Sequence, residues 1–116
     1  MIAVCTQLQL QQVLSEAQSG LSELFGPRLE RVLLYGSYAR GEQDEESDID
    51  VMALVDLPRE QLDQYRRAVS RLSTDIDLQH DVFLSIKLQD ADTFHRWADT
   101  LPFFQNVIKE GIAVGQ

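Results

Sequence analysis

Apolar residues recur along the first part of the chain at steps of three and four. That spacing is the period of an amphipathic helix rather than the alternation of a strand. The following Gly26-Pro27 pair is a typical helix stop. The pattern predicts a helix over residues 7–24 that packs one stripe on a sheet. The members of the stripe are Leu10, Val13, Leu14, Ala17, Leu21, Leu24 and Phe25.

Three short apolar runs further along the chain predict strands. The first, residues 32–35, is an unbroken run that ends at Gly36, as in a strand covered on both faces. The second covers residues 48–55, after a polar loop at residues 42–47. The third begins at Asp81 and continues to about residue 88.

Helical spacing returns between and after these runs. Pro58 suits the start of a second amphipathic helix, and residues 75–80 read as a polar turn. A short helix with Phe94 and Trp97 follows a loop, and a last helix starts near Pro102. The pattern predicts an α/β (α+β) fold, one domain over residues 1–116, with a small mixed sheet of three or more strands flanked by helices. Aromatic residues near the end are predicted to be core, namely Trp97, Phe103 and Phe104, and Val107 and Ile108 are predicted to dock the last helix on the sheet.

The turn after the first strand has the composition of a phosphate-binding site. Gly36 lacks a Cβ, so the backbone can turn sharply and approach a ligand closely. The N–H groups that begin a helical turn at Ser37 have no partner within the helix and attract phosphate oxygens. The hydroxyl of Ser37 and the guanidinium of Arg40 can add donors. The alternative interpretations are an ordinary N-cap for Ser37 and a surface ion pair for Arg40.

Two carboxylates open the second strand. Side chains alternate along a strand, so Asp48 and Asp50 are predicted to share one face near the Gly-Ser turn. Such a pair can hold Mg²⁺, which takes oxygen ligands and shares them with substrate phosphates. Two ions about 3.5–4 Å apart could clamp an in-line displacement. Asp81 is the predicted third carboxylate, unless it is a paired strand-entry residue. Asp77 lies nearby, but its neighbours read as a helix end or turn.

Together these residues resemble the signature of the nucleotidyltransferase superfamily that includes DNA polymerase beta. Gly36-Ser37, ten intervening residues and Asp48-x-Asp50 carry the resemblance, which is strongest to the minimal nucleotidyltransferase (MNT) group. It implies ATP held by Gly36 and Ser37, two Mg²⁺ ions held by Asp48 and Asp50, and Asp81 acting on the incoming hydroxyl and sharing a metal. It also implies transfer of AMP to a tyrosine of a HEPN-type toxin, with this chain as the antitoxin.

Charge and cysteine content bear on the kind of partner and on the cellular location. The formal net charge of −9 argues against a protein that grips nucleic acid by its phosphates and suits a basic protein partner. The single cysteine, Cys5, excludes an internal disulfide and fits a cytoplasmic location. No run is long enough to span a membrane, and the N-terminus lacks the pattern of a signal peptide.

Two functions of different classes remain open at this point. The first is the enzyme described above. The second is a binding module, an antitoxin that neutralises its partner by contact and keeps a vestigial site. Relatives that modify aminoglycosides carry an added drug-binding domain, so a small-molecule acceptor is a weaker third choice for 116 residues. An open cleft beside Asp81 would favour the enzyme, and a large apolar patch would favour the binding module.

Overall fold

A four-stranded mixed sheet organises the chain. The computed structural model describes residues 6–115, so Cys5 lies outside the described residues. The elements in chain order are α1 (Gln7–Phe25), β1 (Leu29–Tyr35), α2 (Ser37–Arg40), β2 (Ile49–Val55), α3 (Arg59–Leu62), α4 (Arg66–His80), β3 (Leu84–Asp90), α5 (Ala91–Trp97), α6 (Pro102–Glu110) and β4 (Ile112–Ala113). Short 3-10 turns at Gly26–Arg28 and Asp63–Tyr65 connect neighbouring elements.

The strands lie in the order β3-β2-β1-β4. β1 pairs antiparallel with both β2 and β4, whereas β2 and β3 are parallel. The register places Asp50 opposite Tyr35 on one side and Ser85 on the other. β2 therefore lies between two neighbours and brings its first residues next to the end of β1.

Alternation along β2 divides the buried residues between two faces of the sheet. Val51 and Ala53 belong to the larger cluster, which contains the buried stripes of α1 and α4. Met52 and Leu54 belong to the smaller cluster, which contains Phe94 of α5 and the buried residues of α6. Because Asp50 is two residues from Met52, its side chain is on the face of α5 and α6. The fold class predicted from the sequence is confirmed, and α1 ends one residue beyond its predicted limit.

The segment predicted as a polar turn at residues 75–80 is the last part of α4. Ile76 continues the buried stripe of this helix, and the polar residues around it face outward or bond to neighbours. The Gln9 side chain donates to the carbonyl oxygen of His80 at 2.7 Å, and the His80 ring lies 2.6 Å from a Glu16 carboxylate oxygen. Side-chain polarity alone therefore placed the end of the helix too early.

The last two elements also differ from expectation. Phe104 and Val107 dock α6 on the sheet as predicted, but Phe103 and Ile108 are 42% and 53% exposed. Trp97 is 44% exposed, so its assignment to the core was wrong. The tail adds β4, a two-residue strand that the sequence did not indicate. No helix within residues 6–115 is both long and apolar enough to cross a membrane.

Candidate active site

The turn at Gly36 lies directly against Asp50. Gly36 has φ 78° and ψ −157°, a conformation that L residues rarely adopt. A Cβ added at this position would be 2.5 Å from the Oδ2 atom of Asp50. Only glycine lets the backbone pass this close to the carboxylate. The predicted juxtaposition of the Gly-Ser turn with the aspartate strand is therefore present.

Helix α2 is a single turn that begins at Ser37. The carbonyl oxygen of Gly36 accepts hydrogen bonds from the N–H groups of Ala39 and Arg40, both at 3.1 Å. Tyr38 is buried in the larger cluster and fixes the turn to the body of the protein. Ser37 is half-buried, and it directly follows the glycine that touches Asp50. Ser37 is thus available for a ligand bound next to the carboxylates.

The acidic loop before β2 has an ordered conformation. The Asp44 carboxylate accepts hydrogen bonds from the Glu46 N–H and the Ser47 hydroxyl, at 2.9 and 3.1 Å. The Asp44 N–H donates in turn to the Ser47 hydroxyl oxygen at 2.9 Å. These bonds form an Asx-type turn that delivers the chain to Asp48. The loop therefore fixes where the first carboxylate of the pair lies.

Asp48 and Asp50 are close enough to repel each other. Asp48 is exposed just before β2, and Asp50 is half-buried within it. Burial raises the pKa of the Asp50 carboxyl, the charge of Asp48 raises this pKa further, and Arg40 opposes the rise. A carboxylate that is partly desolvated beside a like charge is stabilised by a cation. This donor set fits a divalent cation that prefers oxygen ligands, such as Mg²⁺.

Asp81 does not join this pair. It is the exposed C-cap residue of α4 in a left-handed conformation, with φ 55°, and β3 starts three residues later at Leu84. Asp tolerates that conformation better than most residues, which explains an aspartate at this helix end. Across residues 6–115, no group of three or more His, Cys, Asp or Glu side chains is placed to hold a metal ion. The predicted start of the third strand at Asp81 was wrong, and the structure does not assemble the Asp48, Asp50 and Asp81 triad.

The carboxylate that does lie near the pair is Asp77. Its Oδ1 atom accepts a hydrogen bond from the Leu84 N–H at 2.7 Å, which joins the end of α4 to the start of β3. Burial raises the pKa of Asp77, the Leu84 N–H lowers it, and Asp48 raises it. The sequence carried no signal that separated Asp77 from the other acidic residues of this segment. We assign it a structural role at the helix-strand junction.

Two substitutions of Asp77 separate its hydrogen bond from its charge. Asp77→Asn retains an acceptor for Leu84, whereas Asp77→Ala leaves that N–H without its partner and should cost about 1–3 kcal/mol. Because the folded-state pKa is raised, the wild-type carboxylate makes stability fall as pH rises from the unfolded-state pKa through the folded-state value. We expect Asp77→Asn to reduce that fall. Urea unfolding of both variants between pH 4 and 7 measures it, and an equal loss in Asn and Ala would contradict this assignment.

Arg40 is engaged by two carboxylates of the chain itself. Its Nε donates to Glu42 Oε1 at 2.9 Å, and its Nη1 donates to both carboxylate oxygens of Glu110 at 3.2 Å. The same Glu110 Oε1 accepts the N–H of Gly36 at 3.1 Å. Glu110 thus bonds two of the donors that the sequence had assigned to phosphate. Glu110 was not singled out from the sequence, because 74 residues separate it from Gly36.

An open cleft runs along β3 and includes Tyr35 and Ser85, the two residues that pair with Asp50 in the sheet. It has a volume of about 650 Å³ and reaches from Tyr35 along Ser85 and Lys87 to Asp90. The Tyr35 ring meets the Phe103 ring edge to face, with centroids 5.7 Å apart. Burial and the nearby Asp50 charge raise the pKa of Tyr35 to about 12, so its phenol is neutral at physiological pH. Asp81, beside which an open cleft was expected for an enzyme, is not among the residues that line this one.

Comparison with known proteins identifies the family. The family model described as "Nucleotidyltransferase domain" matches residues 14–100, well over half of the chain. The chain belongs to this family, and it is a nucleotidyltransferase. It is similar to the "Putative protein adenylyltransferase MJ0141" of Methanocaldococcus jannaschii, with 33% identity over 79 residues, covering 67% of this chain and 77% of the archaeal protein.

Solved structures support the same fold. "Structure of putative minimal nucleotidyltransferase" superposes with a TM-score of 0.52 and 25% identity, covering 89% of this chain and 93% of that chain. "Crystal structure of the toxin-antitoxin with AMP-PNP" has a TM-score of 0.56 and 20% identity, covering 86% of this chain and 70% of that chain. The resemblance to minimal nucleotidyltransferases is thereby confirmed.

Proposed function

We propose that this chain transfers AMP from ATP, in the presence of Mg²⁺, to a hydroxyl group of a partner protein. The observation that carries the proposal is the close approach of Gly36 to Asp50. Ser37 follows Gly36 in the chain, and the charge of Asp48 acts on Asp50. A tyrosine of a HEPN-type toxin is the proposed acceptor, and the chain would act as its antitoxin. The likeness to adenylyltransferases and to a toxin-antitoxin structure bound to AMP-PNP supports this choice.

Each residue of the site has a proposed part in the transfer. Ser37 and the Gly36 N–H bind the triphosphate, and Asp48 and Asp50 hold Mg²⁺. When bound, Mg²⁺ neutralises phosphate charge and polarises the reacting phosphoryl group. The acceptor oxygen forms a bond to the α-phosphorus, the bond from that phosphorus to the bridging oxygen breaks, and pyrophosphate leaves. The proton of the hydroxyl group passes to a water molecule.

A triphosphate can bind the Gly36 N–H and the Arg40 guanidinium only if their hydrogen bonds to Glu110 break. We expect Glu110→Gln to bind MgATP about 3–10-fold more tightly, because each 1.4 kcal/mol of removed repulsion equals a factor of ten. Glu42→Gln is the matched control, since Glu42 bonds the same guanidinium of Arg40 but not Gly36. Titration calorimetry with a non-hydrolysable ATP analogue measures both. Weaker binding by Glu110→Gln than by Glu42→Gln would show that Glu110 positions Arg40 for the nucleotide instead.

Intact mass spectrometry tests the transfer itself. The pure chain is incubated with Mg²⁺ and ATP, with and without the product of the neighbouring gene, and Asp48→Ala/Asp50→Ala serves as the control. Addition of one or more AMP groups to the partner, absent with the double variant, supports the proposal. No mass gain with any nucleoside triphosphate would overturn it.

A binding antitoxin is the second candidate. The exposed apolar residues around α6 favour it, because an unpartnered apolar surface often marks an interface. They are Trp97, Leu101, Phe103, Ile108 and Ile112. In that case the double aspartate variant would still form the complex and neutralise the partner. Loss of neutralisation with retention of the complex would instead favour catalysis.

A further inference from the structure

The outer edge of β3 has backbone groups without partners. In a parallel pair, alternate residues direct their N–H and C=O groups toward the neighbouring strand. The Ile49 N–H donates to Phe83 O at 2.8 Å, so the groups of Leu84 face away from β2. The side chains of Asp77 and Ser73 bond those outward groups of Leu84, both at 2.7 Å.

The same alternation turns the backbone groups of Ile86 and Leu88 outward. Within residues 6–115, no hydrogen bond occupies these outward groups. β3 stands at the end of the sheet, and Ser73 of α4 bonds its first residue. Further along, a pocket of about 260 Å³ separates α4 from Ile86 and Leu88. An edge whose backbone groups have no partner is a template for an added strand.

The cleft described above follows this edge. Arg59, Leu62 and Arg66 line it on the side of α3 and α4, and Phe103 and Phe104 line it on the side of α6. Between these two sides lies the backbone of β3. The cleft is therefore elongated along a strand and suits an extended segment rather than a helix.

The charge of the cleft differs from that of the whole chain. Arg59, Arg66 and Lys87 line it, although the chain carries a formal net charge of −9. The Nε atom of Arg66 donates a hydrogen bond to Asp63 Oδ1 at 2.7 Å. The Nζ atom of Lys87 lies 5.6 Å from the centre of the Phe103 ring. Asp90 also lines the cleft, but its carboxylate is engaged as the N-cap of α5. These cations complement a segment that carries acidic side chains.

The position of the cleft connects it to the carboxylates. Tyr35 and Ser85 both line it, and both lie opposite Asp50 in the sheet register. A strand added outside β3 would lie two strand spacings from Asp50, about 10 Å. A long side chain that ends in a hydroxyl, such as tyrosine, can extend over this distance toward a nucleotide held at the carboxylate pair.

We propose that the free edge of β3 binds the acceptor segment of the partner protein as an added strand. The segment is extended, carries acidic side chains beside the accepting hydroxyl, and pairs with the outward groups of Ile86 and Leu88. Main-chain hydrogen bonds supply affinity in this mode, and side-chain pockets supply specificity. The role of the hydroxyl as the acceptor of AMP rests on the proposed function. The binding of the segment to β3 does not depend on it.

Fluorescence anisotropy with synthetic peptides tests the binding without requiring catalysis. The probe is a labelled peptide with one tyrosine flanked by glutamates, compared with the same peptide in which lysines replace the glutamates. We expect the acidic peptide to bind at least tenfold more tightly. N-methylation of alternate residues in one register should abolish binding, and N-methylation in the other register should preserve it, because only alternate N–H groups pair with β3.

Two variants of one residue give the matched test on the protein. Ile86→Pro removes one outward N–H, at a position where an edge strand tolerates proline, and we expect the peptide to bind at least tenfold more weakly. Ile86→Val keeps the N–H and most of the side chain, so its affinity should be unchanged. MgATP affinity should stay the same in both. If Ile86→Pro does not fold, the N-methylated peptides decide the question with the unaltered protein.

Several outcomes separate this proposal from the proposed function. Equal affinity for the glutamate and lysine peptides, or indifference to N-methylation register, would overturn the strand-edge site. Displacement of the peptide by nucleotide through direct competition would assign the cleft to the nucleotide and also overturn it. AMP transfer to the partner at an unchanged rate in Ile86→Pro would support the proposed enzyme activity and contradict the strand-edge site. Peptide binding without AMP transfer to any acceptor would support the strand-edge site and contradict the proposed enzyme activity.

Discussion

Asp50→Asn is expected to lower AMP transfer by about a thousandfold, because the proposed metal contribution to transition-state stabilisation is several kcal/mol. Asparagine has the shape of aspartate but no charge, so it is a poor ligand for a hard cation. The half-buried position and the raised pKa of Asp50 mean that this substitution also removes repulsion with Asp48. The folded protein should therefore persist while activity is lost. Single-turnover label transfer gives the rate, and thermal unfolding checks the fold.

Asp81→Asn is the control that makes this prediction specific. The exposed cap position of Asp81 and its separation from the carboxylate pair predict a transfer rate within twofold of wild type. Asparagine also tolerates the left-handed conformation of that residue. A loss comparable to that of Asp50→Asn would show that Asp81 acts on the acceptor, as the sequence pattern had indicated, in a conformation that differs from the present one.

The sequence predicted the parts of the site that depend on local order along the chain. Gly36 and Ser37 follow a buried strand, and Asp48 and Asp50 open the next one, so hairpin-like pairing of adjacent strands brings the two motifs together. Alternation along β2 then places Asp50 on the face opposite Val51. These inferences needed only strand period and chain order, which is why they agree with the structure.

The parts that failed depend on where one element stops and another begins. Asp81 and Asp77 are four residues apart, and a shift of the helix end by one turn exchanges which of them approaches β2. Local composition could not decide this, because the buried stripe of α4 extends to Ile76 among polar neighbours. Glu110 was missed for another reason. Its contact with Gly36 joins residues far apart in the sequence, and the local hydrophobic pattern cannot predict such a pair.

Gly36→Ala is expected to reduce both stability and transfer more than any other small substitution in the turn. A non-glycine residue in its backbone conformation costs about 1–3 kcal/mol, and the added methyl would also lie 2.5 Å from Asp50 Oδ2. Relief of that clash must move either the turn or the carboxylate. We therefore expect MgATP binding and transfer to fall by at least about tenfold beyond the stability loss, since a displacement of 1 Å can cost a hundredfold in rate.

Gly26→Ala separates the cost of the backbone conformation from the cost of the contact with Asp50. Gly26 has φ 55° and ψ −134°, close to the backbone conformation of Gly36, but an added Cβ there meets nothing within 4 Å. It should show the conformational cost in urea unfolding without any change in nucleotide affinity. If Gly36→Ala and Gly26→Ala lost stability equally and both retained MgATP binding, the approach of the turn to Asp50 would have no part in binding the nucleotide. A selective loss in Gly36→Ala would instead tie nucleotide binding to the geometry on which the proposed transfer depends.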